Sequence, residues 1–247
     1  MNGEDPAVAL LPYNYAGGEL TLFEKAVRWK AYFRRRLSRW VRGHVLEVGA
    51  GLGGTTRVLC DGRQESWTAL EPDGELLAQL CQRQEQQPFP LPVEPVRGCI
   101  GDLIGRRFDC VLYIDVLEHI EDDAEELQQA AELLAPGGAI VVLSPAHQWL
   151  YTPFDKAIGH YRRYTRAGLR ALTPPTLQLE KLFYLDSVGL LASLANRLLL
   201  KQSMPTAGQI QTWDRFFIPL SRWLDPLLAY RAGKTVVGVW RRPLISH

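Results

Sequence analysis

The residues whose types and spacing suggest chemistry begin in the stretch 44–56, HVLEVGAGLGGTT. There an apolar run meets Gly49, Gly51, Gly53 and Gly54. Val45, Leu46 and Val48 read as a buried strand, and the glycines as a tight turn opening a helix near residues 55–60. Glycine permits positive φ and, without a Cβ, lets a ligand approach the main chain. The free N–H groups of the helix would face that ligand. Glu47 stands just ahead of the first glycine, and an acid there suits hydroxyls or a positive charge, not a phosphate. Gly49, Gly51 and Gly54 also satisfy G-x-G-x-x-G, with Glu71 about twenty residues on. The turn alone therefore admits NAD or a nucleoside-type sulfonium cofactor.

The elements that must position this turn follow in order. Residues 66–70, SWTAL, form a second strand ending at Glu71, where a carboxylate can accept hydrogen bonds from a ribose diol. A helix over 74–87 turns Leu76, Leu77 and Leu80 inward. The proline-rich run 88–95 reads as loop or extended chain, before a short strand at 96–100 and then Gly101, Asp102 and Leu103. Residues 108–114, FDCVLYI, form a strand ending at Asp115, and VLEHIEDDAEELQQAAELLA reads as a helix with acidic first turns. Pro136, Gly137 and Gly138 make a turn before a strand at 139–143. Apolar strands alternating with helices predict a parallel sheet covered on both faces, with ligands beyond the carboxyl ends of the strands. Glu47, Glu71, Asp102 and Asp115 fall at such ends. Four acids on one rim are a poor seat for the pyrophosphate of NAD; they suit a sulfonium, an ammonium, a ribose diol and an adenine amine.

In order and spacing, residues 45–146 resemble the class I S-adenosylmethionine-dependent methyltransferases. The resemblance rests on E-x-G-x-G-x-G (Glu47, Gly49, Gly51, Gly53), the acid Glu71, GDL at 101–103, IDVLEHI at 114–120 and LLAPGGAIVVL at 133–143. It implies a Rossmann-like, doubly wound α/β sheet, mostly parallel with an antiparallel final strand, and S-adenosyl-L-methionine as cofactor. It implies that Gly49, Gly51 and Gly53 pass under the methionine part, with Glu71 on the ribose, Asp102 on adenine and Asp115 near the methionine end. Glu47, Ala50, Pro72 and Leu103 complete the expected cofactor contacts. The chain lacks N-P-P-Y, D-P-P-Y and a Pro-Cys nucleophile, which disfavours methylation of adenine or glutamine amino groups and cytosine C5 chemistry. No Asp/Asn cluster of the catechol type stands out, and no metal is expected. The DVLEHI type resembles enzymes acting on small molecules and lipid-like acceptors.

The loop 144–164 leaves the fifth strand on the ligand side with His147, Asp155, His160, Arg162 and Arg163. Loops at that rim carry substrate groups. An alcohol, phenol or activated carbon acceptor needs a base near neutrality, for which His119 and His160 are the candidates. Arg162 and Arg163 are candidates to hold a carboxylate or phosphate of the acceptor. Downstream, strands at 177–187 and 234–241 bracket an inserted helical unit. Ile210, Trp213, Phe217, Leu220, Leu224 and Leu227 repeat there at three and four, with Pro219 and Pro226 as breaks. The unit reads as a lid, a dimer surface or an interfacial membrane helix. Upstream, residues 19–42 read as a helix with one apolar stripe (Leu22, Ala26, Trp29, Phe33, Leu37, Trp40) and a basic opposite face, solvated or facing anions.

The expected organisation is an arm and helix at 1–42, a cofactor-binding core at 43–187, the helical insertion at 188–232, and the final strand and tail at 233–247. With a net charge of +1 over 247 residues there is no global case for nucleic acid. Cys60, Cys81, Cys99 and Cys110 lack C-x-x-C pairing and read as buried thiols of a reducing, cytoplasmic compartment. The chain starts without a signal peptide pattern and has no run long enough to span a membrane. The leading expectation is methyl transfer to a small-molecule acceptor, at O or C, with apolar and anionic parts. A homodimer and peripheral membrane contact are further expectations. The alternatives are an NAD(P)-dependent oxidoreductase and a non-catalytic cofactor-binding partner protein.

Overall fold

The computed structural model describes residues 25–197 and 206–244. The expected arm at 1–18, the first turn of the 19–42 helix and part of the leucine-rich run 188–201 lie outside them. In chain order the elements are α1 (Val27–Leu37), β1 (His44–Val48), α2 (Thr56–Leu59), β2 (Ser66–Glu71), α3 (Gly74–Gln86), β3 (Val93–Arg97), β4 (Phe108–Ile114), α4 (Asp123–Glu132) and β5 (Leu134–Pro145). They continue with α5 (Pro153–Ala157), α6 (Arg166–Ala171), β6 (Gln178–Leu185), α7 (Ser187–Ala195), α8 (Ala207–Thr212), α9 (Ile218–Leu227) and β7 (Thr235–Arg241). The strands form one sheet in the order β3-β2-β1-β4-β5-β7-β6. All pairings are parallel except those of β7, which runs antiparallel to both β5 and β6.

The central strands are apolar on both sides because each faces two cores. In β4, Cys110, Leu112 and Ile114 join the core under α1, while Val111 and Tyr113 join the core under α4, as does Phe108 on the far side of an irregularity in the pairing with β5. Alternate residues of a strand point to opposite faces, so a doubly covered sheet requires this continuous hydrophobicity.

Four local readings change. The third strand begins at Val93 inside the proline-rich run and contains Pro95. It lies at the sheet edge, where a missing N–H breaks no ladder. Residues 116–122 are not helical in the α sense: Leu117–His119 is a 3₁₀ turn, and α4 starts at Asp123 because Asp122 caps it by accepting from the Glu125 amide. The Pro136-Gly137-Gly138 segment is not a turn ahead of the strand but an irregularity inside β5, with Gly137 at φ 79° and a Cβ at Gly138 standing 3.0 Å from the Phe108 carbonyl. Cys99 is exposed and Cys81 half-buried; only Cys60 and Cys110 are buried thiols.

The helical unit between β6 and β7 is tied down by three buried aspartates. Asp214 accepts from the Trp29 amide at 2.8 Å and the Arg28 amide at 3.1 Å, capping the N-terminus of α1 from 185 positions away. Asp186 accepts from Trp213 Nε1, the Ser221 hydroxyl and the Gly189 amide. Asp225 accepts from the Tyr32 hydroxyl and from the Asp186 and Ser187 amides. Pro219 sits in the first turn of α9, where an N–H is dispensable, just after a π-helical turn at Trp213–Phe217. The basic face of α1 is partly engaged as well. Arg34 pairs with Asp61, Arg36 stacks over Tyr32 and Tyr230, and Arg39 stacks over Trp40. No helix among the described residues is long and apolar enough to cross a membrane.

Asp225→Ala strands two amides and a hydroxyl in a site closed to water. The expected loss is about 3 kcal/mol, read from urea unfolding. A loss below about 1 kcal/mol would show that water takes over the three donors.

Candidate active site

A cavity of about 740 Å³ opens beyond the C-terminal ends of β1, β2, β4 and β5, a size suited to a cofactor together with a small ligand. One half is walled by Gly49, Ala50, Gly51, Glu71, Pro72 and Leu76, with Gly98, Cys99 and Ile100 beside them. The other half is walled by Asp115, His119, His160, Phe154, Ile158 and Lys234, with Trp29 and Phe33 from α1 and Trp213 from the helical unit.

The turn after β1 is shaped by φ values of 66° at Gly49 and 53° at Gly51, which only glycine adopts without strain. A Cβ at Gly49 would also lie 2.7 Å from the Val116 side chain. Three of the turn's amides are spent internally. Ala50 N–H donates to the Leu70 carbonyl, Gly53 N–H to the Ala50 carbonyl, and Gly51 N–H to Glu71 Oε2 at 2.8 Å. Asp73 N–H donates to Glu71 Oε1 at 3.0 Å. Burial raises the Glu71 pKa; the hydrogen bonds from Asp73 and Gly51 pull against that rise. Each carboxylate oxygen has two lone pairs, so Glu71 keeps acceptor capacity toward the cavity. The following helix, α2, has four residues, too short to present a dipole-backed anion site.

This donor set fits S-adenosylmethionine and not a dinucleotide. A pyrophosphate over the turn would meet a carboxylate that already holds the Gly51 amide. A ribose diol would meet an acceptor, and the adenine would find the apolar slot of Pro72, Leu76 and Ile100. At the opposite end Asp115 adopts φ 54° and shows its surface to the cavity. Burial raises its pKa, with the Lys234 charge opposing; burial lowers that of Lys234.

The cavity wall thus contains Gly49, Ala50, Gly51, Glu71, Pro72, Asp115, His119 and His160 of the sequence-derived site, and leaves out four others. Glu47 lies behind the wall, fully buried, accepting from the Thr56 hydroxyl and, at 2.9 Å, from Trp67 Nε1. Gly53 faces Leu80 and Phe89 beneath the turn. Asp102 folds back to accept from the Cys99 amide at 2.8 Å, serving the turn instead of the cavity. Leu103 is buried in the core under α4. The two arginines are already paired, Arg163 on the cavity wall itself. Arg163 makes a two-pronged pair with Asp155, and Arg162 pairs with Asp123 at 2.6 Å, so neither guanidinium is a ready anion clamp. No local pattern marks Trp29, Trp213, Glu118 and Lys234 as meeting at one cavity, because each comes from a different segment.

His119 and His160 meet edge to face with ring centroids 4.5 Å apart. Burial and the neighbouring His160 push His119 down to about 4, so it is neutral at pH 7. His160 Nδ1 lies 3.0 Å from Asp155 Oδ1. Burial would raise Asp155, but the hydrogen bonds from His160 and Arg163 outweigh it and hold the carboxyl well below the usual range.

An acid-rimmed glycine turn at the switch point of a 3-2-1-4-5-7-6 sheet defines the class I methyltransferase architecture. Residues 46–140 match the family model described as a methyltransferase domain. A stretch of 173 residues is 28% identical to a protein of Salinispora arenicola named as a probable non-canonical nonribosomal peptide synthetase, CymA. The match covers 68% of this chain and 2% of that protein. A stretch of 113 residues is 30% identical to norajmaline N-methyltransferase of Rauvolfia serpentina, covering 42% of this chain and 37% of that enzyme. The chain thus spans under half the length of either relative. The fold is similar to that of the N-methyltransferase NodS of Bradyrhizobium japonicum, solved with S-adenosylhomocysteine. The TM-score is 0.53 at 15% identity, over 86% of this chain and 87% of that one.

Burial pushes the Glu47 carboxyl up to about 7 against the pull of its Thr56 and Trp67 hydrogen bonds. A carboxyl raised on folding contributes stability below its unfolded pKa and loses it as pH rises through the folded value. Glu47→Gln keeps the acceptor oxygen and removes the charge. Between pH 5 and pH 8 its stability relative to the unmodified protein is expected to rise by up to about 3 kcal/mol. Chemical denaturation at both pH values measures this, and parallel pH profiles would show that Glu47 titrates as an ordinary carboxylate.

Proposed function

We propose that this chain transfers a methyl group from S-adenosylmethionine to an oxygen or nitrogen of a small-molecule acceptor. The observation carrying this reading is the Gly51 amide donating to Glu71 on the cavity wall. That contact turns a potential phosphate cradle into a seat for a ribose and a cation. One relative points the same way, being named as an N-methyltransferase of norajmaline.

When bound, S-adenosylmethionine supplies an electrophilic methyl on a sulfonium. Glu71 would take the ribose hydroxyls, Gly49 to Gly51 would pass beneath the methionine part, and Asp115 would face its charged end. The chain's remaining work is alignment and exclusion of water. Trp29, Phe33, Phe154, Ile158 and Trp213 line the acceptor half with apolar surface. Trp213 reaches it from the helical unit, which supports the lid reading over the dimer and interfacial readings. With Arg162 and Arg163 already paired, the acceptor is mainly apolar. His119, neutral at pH 7, is placed to accept a hydrogen bond from the acceptor's O–H or N–H and orient it.

Equilibrium binding separates the readings. S-adenosylhomocysteine is expected to bind and NADH not to. Glu71→Ala should weaken S-adenosylhomocysteine by at least about tenfold. Tighter binding of NADH would return the chain to the oxidoreductases. Labelled S-adenosylmethionine offered with cell extract should yield a labelled small molecule; tight cofactor binding with no labelled product would favour a non-catalytic partner.

His119→Ala is expected to lower turnover by about 10² or more while leaving cofactor affinity within a few-fold. Single-turnover rates beside calorimetric titrations check this. Unchanged turnover removes His119 from the chemistry.

A further inference from the structure

We propose that Glu118, His119 and His160 bind a divalent transition-metal cation at the acceptor end of the cavity. One ligand atom from each lies within 4.8 Å of the other two, and Glu118 Oε1 stands 3.9 Å from His160 Nε2. Ligand atoms sharing one such ion, each about 2.1 Å from it, sit roughly 3.0–3.4 Å apart. Side-chain movement of about an ångström closes the set.

The hydrogen bonds around Glu118 and His160 orient them for a cation. Asp155 receives the Arg163 guanidinium on both oxygens and the Thr152 amide and hydroxyl on one. It is therefore an acceptor, and His160 Nδ1 donates to it. The lone pair of His160 then lies on Nε2, facing the Glu118 carboxylate. Two acceptor atoms turned toward each other are reconciled by a proton, a bridging water or a metal cation between them. A histidine whose second nitrogen is held by a carboxylate or carbonyl is the usual state of a metal ligand. His119 stands beside this pair. Its Nδ1 lies on the Gly159 side, and its ring meets the His160 ring edge to face with centroids 4.5 Å apart. Glu118 is held by the Ser144 hydroxyl at 2.9 Å.

Burial separates the closed and open sides of the set. Glu118 and His160 are buried, whereas His119 shows its ring to the cavity. Three protein ligands with remaining positions open to a cavity make a site that takes substrate as a further ligand. Two imidazoles and one carboxylate favour manganese, iron, cobalt or zinc over magnesium or calcium. When bound, the cation replaces the direct His119 hydrogen bond to the acceptor and would bind and acidify an acceptor hydroxyl. That role rests on the proposed methyl transfer; the cation site does not.

Cobalt(II) titration of the untagged full chain, stripped with chelator, tests the site by visible absorption and calorimetry. One cobalt per chain is expected. His119→Ala and Glu118→Gln should each weaken it at least about tenfold, and Asp155→Asn by about tenfold, with S-adenosylhomocysteine affinity little changed. Glu118 is fully buried, so a Glu118→Gln chain that fails to fold is set aside; His119 faces the cavity, and His119→Ala, checked by its melting curve, then decides alone. Absence of cobalt binding below about 1 mM, or equal binding by His119→Ala, overturns the proposal and leaves a proton or a water as the bridge. Because S-adenosylhomocysteine binding is read separately, failure of the cation site is distinguishable from failure of the methyl-transfer reading.

Discussion

The architecture depends on one constraint: a carboxylate taken out of water must receive donors from the protein itself. Glu71 meets it with the amides of Gly51 and Asp73, and that choice fixes the path of the glycine turn. Glu47 meets it with Thr56 and Trp67, joining the start of α2 to β2 beneath the same turn. Asp186, Asp214 and Asp225 do the same for the helical unit, drawing donors from α1, α7 and α9. Each satisfied acid is also a locator, since its donors come from segments that must meet for the charge to be tolerated.

The cavity inherits its two-sided character from this arrangement. Its cofactor half comes from consecutive strand ends and is rigid because three of the turn's amides are already used. Its acceptor half is assembled from α1, the turn after β4, the loop around α5 and the helical unit. Asp214 couples two of these walls directly: it caps α1 beside Trp29, and Trp29 packs against Trp213 with ring centroids 5.8 Å apart. A change in the helical unit therefore reaches the cavity through backbone hydrogen bonds as well as through side-chain packing.

Where the sequence misled, local grammar had a second meaning that only context resolved. Asp102 follows a strand on the ligand rim, yet its nearest unpaired donor is the Cys99 amide, and it serves that instead of the cavity. Pro95 signalled a loop, but an edge strand has no inner partner on one side and accommodates it. The acidic run 121–126 looked like one helix with the residues before it. The left-handed Asp115 and the cap at Asp122 divide them, and the resulting 3₁₀ turn turns Glu118 inward and His119 to the cavity. Arg162 and Arg163 resemble an anion clamp in sequence, but Asp123 and Asp155 lie against them.

The sequence by itself determined the sheet, the glycine turn and the acid Glu71, because these arise from short-range rules. Strands buried on both faces read as apolar runs, positive φ calls for glycine, and strand ends define a rim. The tertiary structure alone decided which side chains face one another across that rim. His119 and His160 are 41 positions apart, and Trp29 and Trp213 are separated by most of the chain. Nothing in local propensity couples such residues. They meet because burying the apolar faces of α1 and the helical unit against one side of the sheet, with every buried carboxylate supplied with donors, brings those segments together around one cavity.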